Sequence, residues 1–206
     1  MSALEAIPLL RGMSAAEVVA ALREYHRPRG LAADSIGFAE LQVGTGYTRV
    51  GQHRIFDFWV MHCWPSEGHA RTVYEIKVSR SDFLREIAKP VKRRKALMFS
   101  NYFYFATPPG LIRPDELPVE CGLYEIQEQP PKGVVRWPTG IGYPKRIVEA
   151  PRRDSMPPTW NFVAALLRRI ADAEVALAQT RAALLADPYA GAPAAEPGGR
   201  KEQNDG

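Results

Sequence analysis

The chain reads as an α/β domain: a mixed central sheet flanked by helices, followed by a long C-terminal helix. Three observations predict this. Apolar residues recur at helical and at alternating spacing in the order helix, three strands, helix, two strands. The first three strand candidates form a meander, whereas the later ones are separated by helical and turn segments. Finally, the stretch 159–187 keeps helical spacing almost throughout.

Residues 1–13 read as a flexible lead-in, and "SAAEVVAALREYH" as the first helix. Ser14 is its candidate N-cap, and Glu17 completes a capping box. Val18, Ala21, Leu22 and Tyr25 supply the apolar stripe, and Pro28 and Gly30 end the helix. The strand candidates "IGFAELQVG", "RIFDFWVMHCW" and "RTVYEIKVS" follow. The turn cluster Pro65, Ser66, Glu67 and Gly68 joins the last two as a hairpin. "RSDFLREIA" and "VKRRKALMFS" read as helical with a break at Pro90. "NYFYFATP" is a buried strand by its aromatics, and "CGLYEIQE" another. A short strand is expected near Arg146–Glu149. The main domain is thus 14–150, the linker and C-terminal helix 151–187, and 188–206 a disordered Ala/Pro/Gly-rich tail.

With 206 residues, 46% hydrophobic, including eight Phe, eight Tyr and four Trp, the chain can bury a sizeable core. A formal charge of +4 permits an anionic partner without demanding one. Cys63 and Cys121 form no Cys-x-x-Cys, which suits reduced thiols. No segment approaches the ~20 apolar residues of a membrane span, and Met1–Arg11 lacks the basic start of a signal peptide. The expectation is a cytoplasmic protein with no membrane partner.

One pattern carries chemistry. Glu75 and Lys77 lie two apart on a strand, so they share a face, while Tyr74, Ile76 and Val78 point to the core. Asp57 is an acid among apolar neighbours on the preceding strand. A hairpin turning near Ser66–Glu67 sets residue 57 across from 75 to 77, with same-face Cβ atoms ~5 Å apart. Two adjacent carboxylates repel unless a positive charge lies between them. A hard divalent cation suits them, and Lys77 beside it suits the activation of water and the stabilisation of phosphoryl charge. The alternative is an ordinary amphipathic strand, with Glu75 and Lys77 facing solvent and Asp57 paired to Arg54 or Lys77.

The arrangement of Asp57 and Glu75-Ile76-Lys77 resembles the PD-(D/E)XK nuclease superfamily, the restriction-endonuclease-like fold. "YEIKVSRSDFLREI", "NYFYFATPPGLI" and "DELPVECGLYEI" resemble the MmcB-like DNA-repair nucleases and related phage proteins, over residues 36 to about 127. "APRRDSMPPTWNFVAALLRR" extends the likeness to phage-type members to about residue 170. The resemblance implies a metal-dependent DNA endonuclease of repair, recombination or phage DNA metabolism. It implies Mg²⁺ or Mn²⁺ held by Asp57, Glu75 and the Ile76 carbonyl, with Lys77 as the catalytic lysine. A further acid is expected from Glu40, or from Glu17 or Glu24 on the first helix. Phe56 stands where the short motif has proline.

From Arg80 to Lys95 there are seven basic residues and two acids. Arg80, Lys89, Lys92, Arg93, Arg94 and Lys95 are candidate phosphate contacts; a solvated helix face is the alternative. The rival to an endonuclease is a non-catalytic DNA-binding or assembly protein. The 159–187 helix is a candidate homodimer contact. The four histidines show no zinc-ligand spacing with the cysteines.

Overall fold

The computed structural model describes residues 12–27, 34–43, 54–134 and 137–186. Residues 1–11 of the expected 1–13 lead-in and the expected tail 188–206 lie outside these. Two compact units divide the chain, Met1–Ala165 and Leu166–Gly206.

In the first unit, α1 (Ala15–Tyr25) precedes β1 (Ser35–Val43), β2 (Arg54–His62) and β3 (Arg71–Ile76). Next come α2 (Arg80–Ile87), α3 (Arg94–Met98), β4 (Tyr102–Thr107), β5 (Gly122–Gln127) and β6 (Tyr143–Val148). The six strands lie in sequence order across one sheet. Neighbours are antiparallel from β1 to β3, parallel from β3 to β5, and antiparallel again at β6. The mixed α/β architecture is therefore as expected. The last helix, α4 (Trp160–Ala186), begins in this unit with Phe162 and Ala165 buried.

Local chemistry explains the element ends. Ser14 caps α1 in a capping box with Glu17, whose carboxylate accepts the Ser14 N–H at 2.7 Å. Pro90 stops α2 from continuing, and the chain passes through a 3-10 turn at Pro90–Arg93 into the short α3. Between β2 and β3, a 3-10 turn at Pro65–Glu67 closes on Gly68 in the left-handed region.

Alternation along the strands gives the sheet two buried faces. One packs Phe58, Val60, Tyr74, Ile76, Tyr104 and Tyr124 beneath Val18, Ala21 and Leu22 of α1. Each large side chain so buried contributes roughly 1.5–3 kcal/mol. The other face carries Trp59, Val73, Phe103, Phe105 and Leu123, all buried. Phe83 of α2 meets Phe105 edge-on at 5.3 Å, and Phe162 of α4 meets Trp59 at 5.5 Å. Asn101 ties down the segment after β6, exchanging backbone and side-chain hydrogen bonds with Arg153 at 3.0 Å.

Two sequence expectations are corrected. β3 ends at Ile76, so Lys77 follows the strand, although its N–H still bonds to the Ala106 carbonyl at 3.1 Å. Val78 is 39% exposed and outside the core. The chain there is already turning into α2, where the Ser79 hydroxyl accepts the Asp82 N–H at 3.3 Å.

In the second unit, residues 166–186 are helical, with Leu167, Val175, Leu177, Leu184 and Leu185 exposed. No helix among the described residues is long and apolar enough to cross a membrane. Cys63 and Cys121 are free cysteines.

At Gly122 a Cβ would lie 2.6 Å from the Ala150 nitrogen and overlap the Tyr104 ring. Gly122→Ala should therefore cost about 1–3 kcal/mol, read as a lowered urea midpoint at unchanged m-value.

Candidate functional site

The β2–β3 ladder pairs Trp59 with Val73 and Phe58 with Tyr74. One step further along the same register sets Asp57 beside Glu75, on the face that α2 covers. The ladder gives way there to a side chain: the Asp57 carboxylate accepts the Ile76 N–H through Oδ2 at 2.8 Å. This bond aims the carboxylate toward the C-terminal end of β3. Parallel strands suit such placement, because their connections leave the C-terminal strand ends free to build sites.

Lys77 leaves that end and is almost wholly buried. Its Nζ donates to Glu75 Oε1 at 2.8 Å and lies 3.5 Å from Asp82 Oδ2 and 3.9 Å from Glu86 Oε2. Asp82 and Glu86 stand four apart on α2, hence on one helix face. Lys92 Nζ lies 3.8 Å from Glu86 Oε2. Three carboxylates thus lie within 4 Å of the Lys77 ammonium, and Glu86 is shared with Lys92.

Burial and the crowding of acids together set the electrostatics. Burial, and then the charge of Asp57, push the Glu75 carboxyl up to about 7 against the pull of Lys77. The Asp57 carboxyl is raised chiefly by burial, with Asp82 and Glu86 adding repulsion, although the Ile76 N–H and Lys77 oppose it. Burial pulls the Lys77 ammonium down, yet Glu75, Asp82 and Glu86 together hold it above the ordinary lysine value.

The structure sorts the other candidate residues. Glu17 and Glu24 lie on α1, which packs on the opposite face of the sheet, so neither reaches Asp57 and Glu75. Glu40 is on β1 between the register positions paired with Phe58 and Phe56, which sets it across from Asp57. Its φ is +50° and its side chain is exposed, with no hydrogen bond or ion pair to the two acids. Among the described residues no group of three or more His, Cys, Asp or Glu is arranged to hold a metal ion. Asp82 and Glu86 were concealed within the basic run. Their signal is the i,i+4 spacing immediately after the Ser79 cap.

The basic run divides. Arg93 is no phosphate contact: it is 4% exposed, donating to the Glu86 carbonyl and to Glu120 Oε1, each at 3.2 Å. Arg80 is clamped by both oxygens of Glu116 and donates to the Leu111 carbonyl at 3.2 Å. Lys89, Lys92 and Arg94 are exposed and Lys95 half-buried.

No protein-family model and no curated protein matches the chain. Among solved structures, it is similar to SPO1766, a protein of unknown function from Silicibacter pomeroyi. The identity is 18% and the TM-score 0.47, over 92% of this chain and 100% of that one. A similarity of this degree assigns neither a fold family nor an activity.

The raised Glu75 gives a pH signature. Between the ordinary value of 4.5 and about 7, the unfolded chain has released this proton and the folded chain keeps it. The folded state then binds more protons, so stability falls as pH rises through that window. Asp57 adds in the same sense. Unfolding free energies from urea titrations in metal-free buffer should decline from pH 4.5 to 7, and Glu75→Gln should flatten the slope.

Proposed function

We propose that the chain is a metal-dependent deoxyribonuclease with a restriction-endonuclease-like fold, hydrolysing DNA phosphodiesters. The observation that carries this reading is the buried Lys77 ammonium between Glu75 and the acids of α2, with Asp57 and Glu75 crowded on one face. Burial raises the carboxyls of Asp57 and Glu75 and neighbouring acids add to the shift, so a cation placed beside them would relieve the repulsion. Such a donor set fits Mg²⁺ or Mn²⁺, which take few protein carboxylates and keep several waters. Asp57 and Glu75 would hold the ion, with the Ile76 carbonyl as a third oxygen. When bound, the ion would supply a more acidic water and offset charge on the phosphate.

The chain's own residues have separable tasks. The Ile76 N–H keeps one Asp57 oxygen occupied and leaves the other available. Lys77 is poised to orient a water and to stabilise the charge that builds on the phosphoryl oxygens. Asp82 and Glu86 hold Lys77 protonated and in place. The exposed Lys89, Lys92 and Arg94 supply phosphate contacts independent of sequence.

One feature favours a second reading, that of a non-catalytic DNA-binding protein. The 2.8 Å pair of Lys77 with Glu75 already neutralises one carboxylate, so the cluster stands without a metal.

With purified protein, supercoiled DNA should be nicked in the presence of Mn²⁺ or Mg²⁺ and left intact in EDTA. Glu75→Gln and Lys77→Met should each lower the rate by about 10²-fold or more while the circular dichroism spectrum is unchanged. Full activity in both folded variants would remove the site assignment. Binding by wild type without cleavage in any metal would establish the second reading. Arg94→Ala should weaken DNA binding and reduce the slope of log K on log salt by about 0.9.

A further inference from the structure

The α1 face of the sheet holds a cavity of about 490 Å³, within the size range of small-molecule sites. It lies by the end of α1 and the N-terminal ends of β3 and β4, lined there by Tyr25, His26, Thr72 and Tyr102. Asp57 and Glu75 project from the other face, toward the opposite end of β3. The cavity is therefore separate from the carboxylate cluster, and its reading does not rest on nuclease activity.

Its inner wall is aromatic and held by internal hydrogen bonds. His26 Nε2 lies 2.8 Å from the Tyr74 hydroxyl, Tyr74 bonds to Tyr124, and Tyr124 to Tyr25. Tyr74 and Tyr104 stack at 5.8 Å, with Tyr124 edge-on to both at 5.5 and 4.9 Å. Burial, reinforced by His62, pushes the His26 imidazole down to about 4, so this wall is uncharged at neutral pH.

The charges at the cavity cancel. Arg146 lies 3.4 Å from Glu149 and bonds to Tyr104, and Arg27 lies 3.6 Å from Glu24. Among the lining residues, Asp34 and Glu149 offset Arg27 and Arg146, and Glu24 lies outside the lining. This balance disfavours a phosphate group or a cation inside the cavity itself. Among the described residues, the side chains of Asp34, His62 and Tyr102 make no hydrogen bond, although all three line the cavity. Together they present an acceptor-only carboxylate, an imidazole that can donate or accept, and a phenol. A flat, uncharged ring with N–H donors and ring-nitrogen or carbonyl acceptors on its edge complements that set. Tyrosine rings suit the faces of such a ring, since base–aromatic stacking contributes about 1–3 kcal/mol.

We propose that this cavity binds a nucleobase, presented by a free nucleoside or by an unpaired base of a single strand. The test is titration calorimetry of the full chain with adenosine, guanosine, cytidine and thymidine, and with single-stranded oligonucleotides of each base. Saturable binding of at least one base type is expected. Asp34→Ala and Tyr102→Ala should each weaken it about tenfold, the loss of one hydrogen bond to a base edge. Asp34 is exposed and Tyr102 half-buried, so both variants should melt near wild type. Glu75→Gln should bind as wild type does, which separates this site from the proposed hydrolysis. Equal affinity for nucleoside and oligonucleotide identifies the free nucleoside. Tighter oligonucleotide binding that both variants weaken identifies the unpaired base. Absence of saturable binding to every probe, or binding that neither variant weakens, overturns the proposal.

Discussion

The buried ammonium of Lys77 is the constraint around which one end of the molecule is organised. A lysine removed from water is tolerated only where opposite charge is close. Here three carboxylates lie within 4 Å of its Nζ, one from β3 and two from α2. Their attraction fixes how α2 crosses the end of β3. It also explains why a charged helix packs against a sheet whose other contact with it is the apolar Phe83. Burial raises the Asp57 and Glu75 carboxyls, and the neighbouring acids add to that shift.

The sheet separates two chemistries by strand alternation alone. Odd-numbered residues of β2 and β3 carry Asp57 and Glu75 under α2, and even-numbered ones carry Phe58 and Tyr74 under α1. The first face, at the C-terminal end of β3, is strongly charged. The second, at its N-terminal end, is a wall of phenols in a mutual hydrogen-bond chain. Neither chemistry can leak into the other through a one-residue slip. Such a slip would drive Glu75 into the aromatic core and expose Tyr74.

The basic run shows where a pattern in one dimension ceases to inform. Arg80, Arg93 and Arg94 look alike in sequence, yet their partners differ in kind. Arg93 is buried because the Pro90–Arg93 turn points it back at the Glu86 carbonyl and Glu120. Arg80 is held by Glu116, 36 positions away. Arg94 remains exposed. No local rule separates these three, since Glu116 and Glu120 arrive from a segment that the topology brings alongside.

Much was nonetheless determined by the sequence alone. The Ser14–Glu17 capping box, the break at Pro90 and the alternating apolar strands all follow from interactions within a few residues, which propensity and periodicity report directly. The hairpin turn at Pro65–Gly68 placed Asp57 near Glu75 because hairpin register is a local property. Tertiary structure decided the rest. It set α1 on the far face, which removes Glu17 and Glu24 from the site. It brought Asp82 and Glu86 to Lys77, because the crossover after β3 folds α2 back over the strand end. It also assembled the tyrosine-lined cavity from residues spread between positions 25 and 149, which no spacing in the chain foreshadows. Charges and rings find partners through the packing of whole elements, and that packing depends on the summed burial of both sheet faces.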